Sequence, residues 1–420
     1  MRRRTPFVAL IGSYVISVAG TSMSAVAIPW MVLTTTGSAA KTGLVAFAEM
    51  APYVAAQALA GPLVDRAGLR RSFVVGNAVA AVAVGAIPLM SAAHALTLPV
   101  LLGLVALAGG VRGAADTANS ALVPTTATAA GMALERAAGL NSGANRTALL
   151  LGAPLAGALV TLAGSPVVVA IDAATFAVAA AIGAIWVRVP RTAPATNEAD
   201  GSGLRRYGRD LAAGLRFIRT DRLLLGIITM VAVTNLLDQG LSEVMLPVWV
   251  RDTVGSAGAL GLLAGIGGLG SVLGNLFGAW LGPRLSRRAL YSVGYLVGGA
   301  PRFLVLVVAG TLAPVIGVTL VAEVFAGSLN PVIGATSYER IPEELRARVL
   351  GVVRASAWVG IPFGALVGGY VIEAVGTRMA LLAFGVAYLL TTLAPFVFPS
   401  WRQLRRPDPV VATDPEMVTA

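Results

Sequence analysis

Gly61, Pro62, Leu63, Val64, Asp65, Arg66, Ala67, Gly68, Leu69, Arg70 and Arg71 form a charged turn between two long apolar runs. The two glycines permit a tight backbone. Asp65 stands just before the following helix, where a negative charge meets the positive helix end, and the arginines are held on the cytoplasmic side of a membrane. The stretch reads as a hinge between two membrane helices.

The wider composition agrees. Of 420 residues, 56% are hydrophobic and 12% charged, and the mean hydropathy is +0.81, too apolar for a chain covered by water. Cysteine is absent and His94 is the only histidine, so the chain encodes neither a disulfide framework nor a metal site. No cofactor is expected. No Gly-x4-Gly-Lys-Ser/Thr loop is present, so ATP is not the direct power source. The net charge of +11 lies in short arginine clusters between apolar runs without interleaved aromatics, which argues against nucleic acid as a partner.

Crossing roughly 30 Å of hydrocarbon takes about 20 apolar residues. Such stretches span 7–33, 39–60, 72–93, 97–123, 140–163, 166–187, 223–249, 258–281, 289–311, 313–336, 349–373 and 378–399. The spacing predicts an all-α membrane protein of twelve transmembrane helices. Three of the 31 basic residues fall in outer loops (Lys41, Arg251, Arg378) and four in helices (Arg112, Arg146, Arg302, Arg354). The rest fall in the tails and alternate connections, which places both termini in the cytoplasm. Lys41 is the only lysine, a bias of GC-rich coding that points to a bacterial inner membrane.

An internal repeat supports the count. A shift of 218 residues aligns Pro29, Gly37, Ser38, Gly43 and Leu44 with Pro247, Gly255, Ser256, Gly261 and Leu262. A shift of 208 pairs Glu135, Arg146, Gly152 and Pro154 with Glu343, Arg354, Gly360 and Pro362. The chain therefore divides into a bundle over 1–187, a cytoplasmic linker over 188–222, a second bundle over 223–399 and a tail over 400–420. In the linker Leu204, Tyr207, Leu211, Leu215 and Ile218 recur at helical spacing between arginines, an amphipathic helix for the lipid surface.

Charges inside membrane helices are expensive, so each is a functional candidate unless a partner explains it. The acids are Glu49, Asp116, Asp172, Asp238, Glu243 and Glu323; the bases are Arg112, Arg146, Arg302 and Arg354. Arg112 and Asp116, four apart on one helical face, are expected to pair with each other. Asp172 is read as structural. Arg146 and Arg354 occupy equivalent repeat positions near the bends at Pro154 and Pro362, which suggests a shared role at the junction of the halves. A carboxylate in a low-dielectric cavity exchanges protons near neutral pH, and a cationic substrate competes for it. Fixed bridges from Arg302 or Arg354 are the rival account of these acids.

The Gly61–Arg71 turn closely resembles the signature between the second and third helices of the major facilitator superfamily, departing from it only at Leu69. The resemblance implies two pseudo-symmetric six-helix bundles and assigns gating to Gly61, Asp65, Arg66, Gly68, Arg70 and Arg71, with the acid locking the halves on the cytoplasmic side. In the second half Ser286 replaces the acid. Helices one, four, seven and ten line the cavity in that family. This points Asp238 and Glu323 inward as the first choices for proton or substrate binding, with Glu49 third; Arg112, with Asp116 on the same face, resembles the arginine of a family element that influences proton transfer and completes the candidates. Tyr338 to Gly351, Gly214 to Arg219 and Asp221 to Leu224 are similar to the enterobactin-exporter and macrolide-efflux branch. The function so implied is proton-coupled efflux of lipophilic small molecules such as antibiotics, by a monomeric carrier with no enzymatic activity that contacts membrane lipids. An importer or facilitator of a small polar solute is the first rival, and a non-transporting sensor or scaffold the second.

Overall fold

The computed structural model describes residues 4–187, 209, 212, 214–282, 284–341 and 346–404, without the side chains at 281, 335, 337, 338, 346–348 and 354. Twelve helical spans run through the described residues. They are α1 (Thr5–Thr36), α2 (Ala39–Leu59), α3 (Leu69–Ala92), α4 (Leu98–Ala129), α5 (Leu134–Ala163), α6 (Ser165–Trp186), α7 (Arg222–Thr253), α8 (Ala257–Leu281), α9 (Arg287–Val308), α10 (Leu312–Arg340), α11 (Arg346–Val375) and α12 (Thr377–Thr392). Every expected span is matched, and most helices extend past the apolar core used to find them. The expected amphipathic linker helix lies mostly outside the described residues, apart from a helical stretch over 214–220, as does the tail from 405.

The Gly61–Arg71 turn is more ordered than a loop. Residues Gly61–Ala67 form a short helix set at 70° to α2, and Gly68 ends it at φ +89°, a backbone that favours glycine. Asp65 sits within this short helix and does not cap α3, whose first turn has no side-chain cap. Asp65, Arg66 and Arg71 are exposed, whereas Arg70 donates to the carbonyls of Gly183 and Ala184 and ties the start of α3 to the end of α6.

Within the first half, α1 packs on α5 and α6, and α4 on α2 and α3; within the second, α10 packs on α8 and α9, and α7 on α11. The halves meet through α2 against α11 and α5 against α8. Small residues make the second contact possible, because a Cβ on Gly261 would strike the backbone of Gly157. Helices in lipid have no hydrophobic drive to associate and rely on such close backbone approach.

Contact between the halves runs from one end into the middle of the spans, where the rings of Tyr53 and Trp358 stack at 6.4 Å. On the face remote from the chain termini, Glu373 of α11 accepts from Ser38 Oγ and from the Ala40 N–H at 3.1 Å, and Arg251 of α7 reaches the carbonyls of Leu33 and Gly37, each at 3.4 Å. On the terminal face the halves have separate cores, one around Phe7, Val64, Phe73 and Leu122, the other around Ile218, Leu224, Ile341 and Val349. The hydrogen bonds that join the halves among the described residues thus lie on the remote face, and the apolar clusters of the terminal face are separate.

Candidate functional site

Two departures from regular helix shape the centre of the second half. In α7, Pro247 has no N–H for the carbonyl of Glu243, and the chain takes a π-helical turn over Leu241–Met245. In α9, the expected continuous span breaks at Gly299 (φ −108°, ψ −96°) into Arg287–Gly298 and Ala300–Val308. A Cβ on Gly299 would enter the ring of Tyr388, so the break brings α9 close to α12 and sets Arg302 in the first turn of its second segment.

Arg302 is the hub. Its Nη1 donates to Glu323 Oε1 of α10 at 2.8 Å, and its Nη2 donates to Asp238 Oδ1 of α7. The guanidinium carbon lies 6.0 Å from the Tyr388 ring centroid, and the buried Nε has no protein partner among the described residues. One positive charge therefore faces two carboxylates. The half-buried cluster thus carries one more carboxylate than guanidinium.

Beside the hub is a cavity of about 390 Å³. Glu323 and Arg302 form one wall and Glu243 another, with apolar surface from Val26 of α1, Leu246 of α7 and Leu260 and Leu263 of α8 between them. Ser22, Ala25 and Ala153 close it from the first half, so both halves contribute to the wall. Glu243 also lies within electrostatic range of Glu49 across the halves.

The first half holds a second cluster of the same composition. Arg112 Nη1 pairs with Glu49 Oε1 at 2.8 Å, its guanidinium carbon lying 5.4 Å from the Tyr53 ring centroid. Asp116 instead accepts from the Tyr53 hydroxyl at 2.9 Å, and Gln57 donates to the same hydroxyl at 2.7 Å. The expected pairing of Arg112 with Asp116 along one helix is therefore corrected. A contact between helices, Arg112 to Glu49, replaces the contact along one. Asp172 is 2% exposed and accepts from Ser24 Oγ at 2.5 Å and Thr175 Oγ1 at 3.4 Å, a tie between α1 and α6.

Glu323 lies on the cavity wall as expected, while Asp238 stands behind Arg302 and not on the wall. Helix α4 does not line this cavity; α5, α8 and α9 do. Arg146 is exposed on α5, and the side chain of Arg354 lies outside the described part of α11. Glu243 and Arg302 were visible as intramembrane charges, but nothing in their own neighbourhoods marked them above the others.

Among known proteins, the family model described as Major Facilitator Superfamily matches residues 10–242 and again 228–417. The multidrug efflux pump Tap of Mycobacterium bovis (strain BCG / Pasteur 1173P2) is 30% identical over 415 residues, covering 96% of this chain and 95% of that pump. The pump of the same name in Mycolicibacterium fortuitum is 25% identical over 408 residues, covering 96% and 98%. The fold is similar to that of the nucleoside transporter NupG (TM-score 0.73, 14% identity, 94% and 99% covered). It is also similar to a bacterial homologue of the human lysosomal transporter Spinster in an inward-facing, unoccupied conformation (TM-score 0.71, 14% identity, 97% and 99% covered). With twelve spans, an internal repeat and a family match over both halves, this multi-pass membrane protein belongs to the Major Facilitator Superfamily.

Proposed function

We propose that this chain is a proton-coupled exporter of lipophilic small molecules, a monomeric carrier and not an enzyme. It works by alternating access in a bacterial cytoplasmic membrane with both termini inside. The observation that carries the reading is the excess of carboxylate over arginine beside a largely apolar cavity, in a chain similar to multidrug efflux pumps. The apolar wall takes up a lipophilic substrate by burial, and the unbalanced acid takes either its positive charge or a proton.

The moving bodies are residues 1–187 and 223–399, joined by the linker 188–222, with 400–420 as a tail. Parting of the terminal face admits substrate from the cytoplasm to Glu323 and Glu243. Closing that face brings in the turn of Gly61, Asp65, Arg66, Gly68, Arg70 and Arg71, with Arg146 and Arg354 at the junction of the halves, while the ties of Glu373 and Arg251 part on the outside. Protons entering from outside then reach Asp238 and Glu323, and displace the substrate. Glu49, Arg112 and Asp116 form the corresponding charged cluster of the first half.

Inverted vesicles containing the full chain, given a panel of antibiotics and cationic dyes with and without an imposed proton gradient, test this reading. Gradient-driven accumulation that a protonophore abolishes is expected. Accumulation indifferent to the gradient would mean a facilitator, with these acids reduced to structural roles.

A further inference from the structure

A second pocket, remote from the cavity, opens on the terminal face of the second half. It has a volume of about 410 Å³ and is lined by Arg284, Arg287, Arg288 and Arg402 with Ser286 and the ends of both flanking turns. Two separate stretches of chain build it: the α8–α9 connection and the 3-10 turn Pro399–Gln403 after α12.

The charge in this pocket is not internally balanced. Arg287 pairs with both carboxylate oxygens of Glu339. Arg284 is held by the Trp280 carbonyl at 3.1 Å and lies 4.9 Å from the Trp280 ring centroid, and Arg288 donates to the Pro395 carbonyl at 2.9 Å. These neutral contacts orient the two guanidinium groups without cancelling their charge. Arg402 has no ion pair with a described residue. The start of α9 adds the positive end of a helix at Ser286.

The surroundings narrow the class of anion. Trp280, under Arg284, is 66% exposed, and Phe396, Val397 and Phe398, which follow Pro395, are 53%, 68% and 57% exposed. Large apolar side chains beside unbalanced guanidinium groups, at the end of membrane helices, match a molecule with a phosphate head and hydrocarbon chains. Guanidinium groups bind phosphodiester oxygens in bidentate fashion, and basic residues at a membrane surface attract anionic lipid. In the first-half turn Asp65 would repel such a head, and Ser286 in the second half does not.

We infer that the pocket of Arg284, Arg288 and Arg402 binds the headgroup of one anionic phospholipid, whose chains lie along Trp280 and Phe396–Phe398. The bound lipid bridges the α8–α9 connection to the end of α12.

The test is native mass spectrometry of the full chain released from bilayers of mixed phosphatidylglycerol and phosphatidylcholine. One phosphatidylglycerol per chain is expected to survive activation. Arg402→Gln, which loses no described ion pair, should lower its retention about fivefold, and adding Arg284→Gln and Arg288→Gln should abolish it. Arg136→Gln, which removes an exposed arginine of the first half, should leave it intact. Thermal unfolding in pure phosphatidylcholine checks that each variant is folded. Retention unchanged in the triple variant, equal retention of the two lipids, or stabilisation by inorganic phosphate but not by phosphatidylglycerol would each overturn the assignment.

Discussion

Arg302 donates to Glu323 at 2.8 Å across two helices of the second half, and the same guanidinium holds Asp238. The two acids share one cation, so neutralising either one leaves the other fully paired. Asp238→Asn and Glu323→Gln should therefore fold and reach the membrane, yet each should slow proton-driven transport by about tenfold or more, equal to at least ~1.4 kcal/mol. Transport and pH change measured together in proteoliposomes check this. Unaltered pH dependence in both variants would mean that other acids carry the proton.

Removing the hub is a different perturbation. Arg302→Gln leaves two half-buried carboxylates facing each other, and breaking such a cluster costs up to about 3 kcal/mol. This variant should lose thermal stability, and Glu323→Gln added to it should restore part of the loss. A double-mutant cycle on unfolding midpoints in detergent measures the coupling, and strictly additive losses would contradict the shared pairing.

The remote face should open when its ties are cut. Glu373 reaches Ser38 and the Ala40 N–H from the other half, and Arg251 reaches the end of α1. Glu373→Gln keeps the shape but weakens charge-assisted hydrogen bonds. It should shift the population toward opening on this face by a few-fold, roughly 0.5–1.5 kcal/mol. The chain has no cysteine, so one introduced at Ala25 on the cavity wall reports access directly. Faster labelling from the remote face is the expected result, and no change would show that these ties do not hold the halves. Asp65→Asn should act on the opposite gate, impairing transport while the protein remains in the membrane.

Asp221 offers a pH test outside the spans. It caps α7 through the N–H groups of Leu223 and Leu224 at 3.0 Å and pairs with Arg340 Nε at 2.8 Å. Burial alone would raise its pKa, but the hydrogen bonds from Arg340 and from these two N–H groups outweigh burial and hold the carboxyl below the usual 3.8. The contribution to stability is thus fully present above that value and is lost as pH falls through the lower, folded-state pKa. Wild type should unfold more readily on acidification below about pH 4, and Asp221→Asn should flatten that part of the profile. Equal slopes in the two proteins would show that the cap and the pair contribute nothing.

The spans and the repeat were legible because both rest on local pattern: apolar length sets a membrane helix, and Pro29 and Pro247 carry the repeat in their own neighbourhoods. The interior of the site was not. Arg112 and Asp116 satisfy the spacing rule for a helical pair, yet Glu49 lies 63 residues away in sequence and takes the arginine. The break at Gly299 does carry a local signal, Gly298 and Gly299 followed by Pro301, whose missing N–H cannot serve the Val297 carbonyl, yet the apolar run around it reads as one continuous span. Arg302 became central only once α7, α9 and α10 were side by side. Charge inside a span identifies candidates, but tertiary packing chooses their partners.

Glu243 offers a test that separates charge recognition from proton coupling. It lines the cavity from the π-helical turn of α7, without a described ion pair, and is not held by Arg302. Its carboxylate is therefore available to a cationic substrate in a way that Asp238, clamped behind the arginine, is not. Glu243→Gln should lower the efflux of lipophilic cations about tenfold, a loss of ~1.4 kcal/mol in recognition, while neutral compounds that rely on the apolar wall keep their rates. Concentration-dependent efflux of a cationic dye and a neutral compound of similar size, compared in the same vesicles, reads the difference. A parallel fall for both would assign Glu243 to proton coupling with Glu323, and an unchanged cation rate would remove it from the binding surface.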